Sequence, residues 1–180
     1  VRAAFHTHDQ DVVITNCSNN YGPYQYPEKL IPLMITNALA GEPLPVYGDG
    51  LYVRDWIHVM DHCEAVRLCS LEGKAGETYC IGADNEQPNI AVIKKILELT
   101  GRDEDLIQTV KDRPGHDRRY AIDSSKIQNE LGWKPRIKWD DGLRDTAEWY
   151  IQNDTWSHRV RSGEFRKFYD KQYGTQLQRE

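Results

Sequence analysis

DVVITNCSNNYGP, residues 11–23, is the stretch on which the reading of the fold turns. Asp11 to Thr15 is a short β-branched run and reads as a buried strand. Asn16 to Pro23 is loop chemistry throughout, dense in Asn, Ser, Gly and Pro. A strand that empties into a polar loop and is followed by a helix is the unit from which α/β proteins are built. In such sheets ligands sit off the carboxyl ends of the strands.

The same alternation continues on both sides. Val1 to Thr7 reads as the end of a helix. Another helix begins around Glu28 to Ile31 and runs to Ala40, with Pro32 tolerated in its first turn and Gly41 ending it. Leu44 to Tyr47 is a strand, followed by the turn Gly48-Asp49-Gly50 and an extended run from Val53 to Val59. Asp61 is expected to cap a helix to about Leu71, with Gly73 beyond its end, and Glu77 to Ile81 is a strand. Asn89 is expected to cap a helix over Ile90 to Thr100, whose Ile90, Ile93 and Leu97 share one face. Ile107 to Val110 is a strand and Ser124 to Leu131 a helix, closed by Gly132 in the left-handed conformation with Trp133 as its hydrophobic contact. Asp140 or Asp141 caps an amphipathic helix through Tyr150. Gln152 to Glu180, with Trp156, Phe165, Phe168, Tyr169 and Tyr173, is a tail that packs on the rest, in part as a helix. The expected class is α/β, assembled from part of a sheet plus a smaller lobe.

Composition narrows the function classes. Of 180 residues, 39% are hydrophobic and 28% charged, as in a globular domain. No apolar run approaches the ~20 residues of a membrane span, and no apolar h-region of a signal peptide follows Arg2. The first residue is Val rather than Met, which leads us to expect a cut inside a longer protein. A net charge of -5 argues against nucleic acid, whose partners carry a basic excess. Cys17, Cys63, Cys69 and Cys80 form no C-x-x-C and match no zinc spacing. They are expected to be buried free thiols in a reducing cytoplasm.

No complete catalytic constellation is visible. No glycine-rich phosphate loop follows a strand, and neither a serine nucleophile elbow nor H-E-x-x-H occurs. His58 and His62, and His6 and His8, read as surface or satisfied histidines rather than metal ligands. What remains is a set of loops suited to a ligand. Asn19 and Asn20 offer amides for sugar hydroxyls or a carboxamide, although on spacing alone turn-forming asparagines are favoured. Pro45-Val46-Tyr47 offers an aromatic wall for a flat base, or is an ordinary strand. Arg54 suits a phosphate, or pairs with Asp55 or another carboxylate. Asp112 to Tyr120, DRPGHDRRY, sets Arg113, His116, Arg118 and Arg119 around a Pro-Gly turn, with Asp112 and Asp117 placed to orient the arginines. A pyrophosphate clamp and a solvated loop with local ion pairs fit it about equally.

Taken together, NCSNNYGPYQYPEKLIP, PLPVYGDGLYVRDWIHVMDH, GETYCIG, DRPGHDRRYAID and LGWKP, in that order, resemble the dTDP-glucose 4,6-dehydratases. These are NAD-dependent hydro-lyases of the extended short-chain dehydrogenase/reductase superfamily. The resemblance runs from Val1 to about Tyr150; DRPGHDRRYAID is its most specific element, whereas NNYGP is shared with nucleotide-sugar epimerases and decarboxylases. The family's glycine-rich NAD loop, Thr-Asp-Glu segment and Tyr-x-x-x-Lys pair do not occur in this chain.

The resemblance therefore implies the carboxy-terminal half of an NAD(P)-binding Rossmann-like extended fold, mainly its smaller substrate-binding lobe. It implies a last Rossmann helix end, strand and active-site loop over residues 1–26, a nucleotide-sugar lobe over 27–150, and a tail over 151–180. In the family, NAD takes hydride from sugar C4 with Tyr as base, and water leaves across C5 and C6 with help from Asp and Glu. Hydride then returns to C6, giving the 4-keto-6-deoxy sugar nucleotide.

For this chain it implies substrate contacts and no catalytic group. Asn19 would meet the sugar or phosphate of dTDP-glucose, and Asn20 the nicotinamide side. Lys29 and Leu30 would line the nucleotide, Pro45, Val46 and Tyr47 would hold the thymine, and Arg54 a phosphate. Asn89 would contact the nucleotide, and Asp112, Arg113, Pro114, Gly115 and His116 would close over the pyrophosphate. The chain alone is then expected to be inactive, the whole enzyme a cytoplasmic homodimer serving polysaccharide biosynthesis. Half of an NDP-sugar epimerase or UDP-sugar decarboxylase, and a non-catalytic sugar-nucleotide binder, are the competing readings.

Overall fold

A computed structural model describes residues 1–174. In chain order its elements are α1 (Arg2–His8), β1 (Ile14–Cys17), β2 (Asn19–Tyr21), α2 (Leu30–Ala40), β3 (Leu44–Tyr47), β4 (Val53–His58), α3 (Val59–Glu72), β5 (Thr78–Ile81), β6 (Glu86–Pro88), α4 (Asn89–Thr100), a 3₁₀ turn (Glu104–Leu106), β7 (Ile107–Val110), β8 (Arg119–Tyr120), α5 (Ser125–Leu131), α6 (Trp139–Gln152), α7 (Asp154–Arg161) and α8 (Glu164–Tyr173). They gather into two compact units: Val1–Tyr21, Arg54–Glu86 and Tyr120–Trp139 form the first, and Gly22–Val53, Gln87–Arg119 and the chain from Asp140 form the second.

In the first unit, β1 pairs with β5 in parallel, from Ile14 opposite Thr78 to Cys17 opposite Ile81. β2 pairs with β4 in parallel, with Asn19 opposite Trp56 and Tyr21 opposite His58. Ile57, Ala65, Cys69, Tyr79, Ile81, Ile127 and Trp133 form the core. Tyr79 is fully buried yet polar at its tip, and its hydroxyl meets that need by donating to Glu130 at 3.1 Å and accepting from the Lys74 backbone N–H.

Four expectations are corrected here. The strand starts at Ile14, not Asp11, because its ladder begins where the Ile14 N–H reaches the Glu77 carbonyl. The polar Asn19-Asn20-Tyr21 is a strand rather than loop, since pairing with β4 overrides its low intrinsic preference. Asp61 does not cap α3: His58 does, its Nδ1 accepting from the Met60 N–H at 3.2 Å. The buried Asp61 carboxylate instead accepts the backbone N–H groups of Arg136 and Ile137 at 3.1 and 3.0 Å, tying down the segment after α5. Of the cysteines only Cys69 is buried; Cys63 is exposed and Cys17 and Cys80 are half-buried.

In the second unit, β3 pairs with β7 in parallel, Leu44 opposite Ile107 through Tyr47 opposite Val110. α2 packs against α4. α2 is buried continuously from Ile31 to Ala38, on every face, and its two polar residues are satisfied internally. Thr36 donates to the Pro32 carbonyl at 2.8 Å, and Asn37 to the Pro43 carbonyl at 2.7 Å. Gly41 and Gly101 close α2 and α4 in the left-handed conformation, as expected.

Asn89 does not cap α4: it is the helix's first residue, and Pro88 holds the cap position without a side-chain bond. Asp140 and Asp141 likewise lie inside the first turn of α6, where their charge complements the helix dipole. The tail is helical as α7 and α8, and Arg161 anchors it to Glu42 at 2.9 Å and Asn37 at 3.0 Å. The part of the tail reading that covers residues 175–180 and the Phe165 side chain lies outside the described residues.

Candidate functional site

The second unit gathers its chemistry where the turn after β3 meets the loop after β7. β3 ends at Tyr47, and Gly48-Asp49-Gly50 reverses the chain, the Gly50 N–H donating to the Tyr47 carbonyl at 3.1 Å. Gly50 has φ 71, and a Cβ there would stand 3.0 Å from both Ile90 and Val46, so glycine meets a backbone and a packing requirement together. β7 ends at Val110, whose carbonyl accepts from the Gly48 N–H at 3.1 Å. This bond sets the two loops side by side.

Around that bond the basic run takes a defined shape. Asp112 faces Nδ1 of His116 at 2.8 Å and accepts the phenol hydrogen of Tyr52. The Tyr52 and His116 rings are stacked, with centroids 3.7 Å apart and planes 15° from parallel. Arg118 forks onto Asp49 at 2.8 and 3.0 Å. The Arg113 guanidinium lies 6.0 Å from the Tyr47 ring centroid, at the outer limit of a cation–π contact. Hydrogen bonds from Tyr52 and then His116 hold the Asp112 carboxyl below the usual carboxylate range. The same bond to Asp112 pushes the Tyr52 phenol up. Asp49 is lowered chiefly by its hydrogen bond from Arg118.

α8 adds groups that sequence reasoning did not place at the site. Gln172 donates to the Tyr47 hydroxyl at 2.8 Å, and the Tyr173 hydroxyl lies 3.2 Å from it. Burial and then the contact with Tyr47 push the Tyr173 phenol up.

The structure thus brings Tyr47, Asp112, Arg113 and His116 together in one unit. Pro114 and Gly115 form the exposed tip of the loop. Pro45 and Val46 are buried in β3, and Val46 is part of the core, so only Tyr47 presents the expected wall. Lys29 is exposed before α2, paired with Glu28 at 2.8 Å, and Leu30 is half-buried in its first turn. Asn89 keeps a buried side-chain oxygen without a protein partner. Asp112 orients His116 and Tyr52, not an arginine; at these loops Asp49 holds Arg118. No spacing signal could have found Tyr52, which lies sixty residues from its partner Asp112.

The first unit carries Asn19, Asn20 and Arg54. Arg54 and Asp55 are buried in β4, and Asp55 accepts backbone N–H groups of Ala83 and Asn85 at 3.2 and 2.9 Å. The Asn20 side chain meets Nδ1 of His62 at 2.8 Å and donates to the Ser18 carbonyl at 3.2 Å and Cys17 Sγ at 3.4 Å. Burial lowers the His62 pKa. Among the described residues no helix is long and apolar enough to cross a membrane.

Comparison with known proteins gives these loops a context. Residues 1–146 match the family model described as GDP-mannose 4,6 dehydratase. A dTDP-glucose 4,6-dehydratase of Xanthomonas campestris is 53% identical over 92% of this chain and 50% of the relative. The crystal structure of a Bacillus anthracis dTDP-glucose 4,6-dehydratase in complex with NAD matches at 50% identity and TM-score 0.84, over 88% of this chain and 50% of that one. The Streptomyces venezuelae dTDP-glucose 4,6-dehydratase DesIV, solved with NAD bound, matches at 47% identity and TM-score 0.86, over 88% and 49%. The chain spans about half the length of the curated relatives it matches. The fold is that of the α/β, Rossmann-like extended short-chain dehydrogenase/reductases. Within that class the chain belongs to the family whose model is described as GDP-mannose 4,6 dehydratase.

Proposed function

We propose that this chain supplies the nucleotide-sugar-binding part of a dTDP-glucose 4,6-dehydratase, with the second unit holding the dTDP moiety. The observation that carries the reading is the loop from Asp112 to His116, which meets Tyr47 through the His116 ring and is held by Asp112 and Tyr52. Arg113 is the cation for the pyrophosphate, since a guanidinium pairs with phosphate oxygens in a forked geometry. Tyr47 is the aromatic wall for the base, with Tyr173 and Gln172 fixing its hydroxyl. The enclosed amide oxygen of Asn89 is suited to accept a base or ribose hydrogen. Identity of about half to relatives bearing the dTDP-glucose name supports this sugar nucleotide.

NAD is the cofactor named with two of the solved relatives. In this chain Asn20 is the residue proposed to face it, but the Asn20 amide is engaged by His62, Ser18 and Cys17. No glycine-rich loop follows a strand in the sequence. The residues present do not by themselves make a dinucleotide site, and no hydride step is assigned to them. Neither does the chain carry a Tyr-x-x-x-Lys pair. Incubating it with NAD and dTDP-glucose is expected to give a bound nucleotide sugar and no 4-keto product. Appearance of the 4-keto sugar would show that acid–base groups exist within these residues, and absence of any binding would remove the reading altogether.

A further inference from the structure

The carboxylate of Asp112 is engaged within the protein rather than presented to a ligand. One oxygen accepts from the Tyr52 phenol. The other faces Nδ1 of His116 at 2.8 Å and accepts the Arg113 backbone N–H at 2.9 Å. An ionised carboxylate only accepts. Nδ1 therefore carries the hydrogen on the Asp112 side, and Nε2 is the ring atom left for a ligand. The Tyr52 ring lies against the His116 ring, 3.7 Å between centroids, so a single residue fixes both the plane of the imidazole and the carboxylate that selects its tautomer.

Tyr52 is itself held. Its carbonyl accepts the Asn89 N–H at 2.9 Å. The Arg118 guanidinium lies 5.0 Å from its ring centroid and is anchored to Asp49, which also accepts the Leu51 N–H at 2.9 Å. The neighbouring Val53 N–H bonds the Arg118 carbonyl at 2.9 Å. Arg118 thus lies against the tyrosine as a support.

We propose that Tyr52 and Asp112 are positioning residues for His116, whose side chain is only 4% exposed, fixing its ring plane and tautomer so that Nε2 is the atom aimed at a nucleoside diphosphate. The proposal rests on the reading that the second unit binds that nucleotide. Preorganised donors and acceptors bind better than mobile ones because the ordering cost is met before the ligand arrives.

The test compares wild type, Tyr52→Phe and Tyr52→Leu by ring-nitrogen NMR of ¹⁵N-histidine-labelled protein and by calorimetric titration with dTDP. In the wild type His116 is expected to carry its hydrogen on Nδ1. Tyr52→Phe keeps the stack and loses the hydroxyl; it is expected to retain most of that signature and to weaken dTDP only several-fold. Tyr52→Leu is expected to average the two tautomers and to weaken dTDP by roughly tenfold or more. An unchanged ring signature in Tyr52→Leu overturns the positioning role. A lost signature with unchanged dTDP affinity overturns its link to binding. If the wild type binds no dTDP, the reading of the site fails, and the ring signatures alone decide the role of Tyr52.

Discussion

Two parts of the second unit are held together by different physics. α2 and α4 pack on one another, α2 also on β3, and they bury Ile31, Leu33, Met34, Ile35, Val92, Ile93, Ile96 and Leu97. The loop from Asp112 to Arg118 buries little beyond the His116 ring, and is held by Asp112, Tyr52 and Asp49 through hydrogen bonds and ring contacts. Apolar burial sets the stability of a domain, whereas exposed polar contacts add little to it and fix geometry instead. Core substitutions should therefore act on folding, and loop substitutions on binding.

The largest effect is expected at Ile35, which is fully buried. Ile35→Ala should cost about 2–5 kcal/mol in denaturant unfolding, from lost transfer energy and the cavity left behind. A cost near zero would mean that α2 is not the centre of the core. Gly50→Ala joins the two regions, because the turn it occupies carries Tyr47 on one side and Tyr52 on the other. A side chain at φ 71 with Val46 and Ile90 each 3.0 Å away should destabilise by about 1–3 kcal/mol and weaken dTDP binding as well. Loss of one property without the other would separate turn from site.

Arg113→Ala should move the opposite way from Ile35→Ala. Losing a charge-assisted phosphate contact weakens dTDP by roughly tenfold or more, with an unchanged melting temperature, since the side chain is exposed. An unaltered dTDP affinity would take Arg113 out of the site. A smaller, pH-dependent effect belongs to the first unit. Burial lowers the His62 pKa in the folded state, so the unfolded chain binds its proton more readily. Stability should fall as pH drops below the ordinary histidine range, and the dependence should flatten in His62→Gln. The smallest effect is expected for Arg118→Gln, which breaks an exposed ion pair with Asp49 and should leave the melting temperature unchanged while loosening Tyr52.

How much of this was legible in the sequence follows the same division. β3 and β7 lie where the sequence places them, and α2 does so within its start, because β-branched runs and closing glycines are local signals. The caps misread at Asp61 and Asn89 share one cause. Each residue had the right chemistry for a cap, but in the fold the Asp61 carboxylate serves a backbone seventy-five residues away, and the start of α4 falls one residue earlier. β2 was invisible because its Asn-Asn-Tyr becomes a strand only by pairing with β4. At the site, the basic loop could be seen but not resolved between clamp and solvated loop. Family resemblance pointed to the clamp; only the fold pairs Asp112 with Tyr52 and Arg118 with Asp49. Contacts of such sequence separation leave no trace in composition or spacing.

The proposal that the second unit holds a thymidine diphosphate rests on its preference among nucleotides. Calorimetric titration of this chain with dTDP and, separately, with UDP tests it most directly. Saturable binding of dTDP at least several-fold tighter than UDP is expected; equal or tighter binding of UDP, or no heat with either, would overturn the proposal.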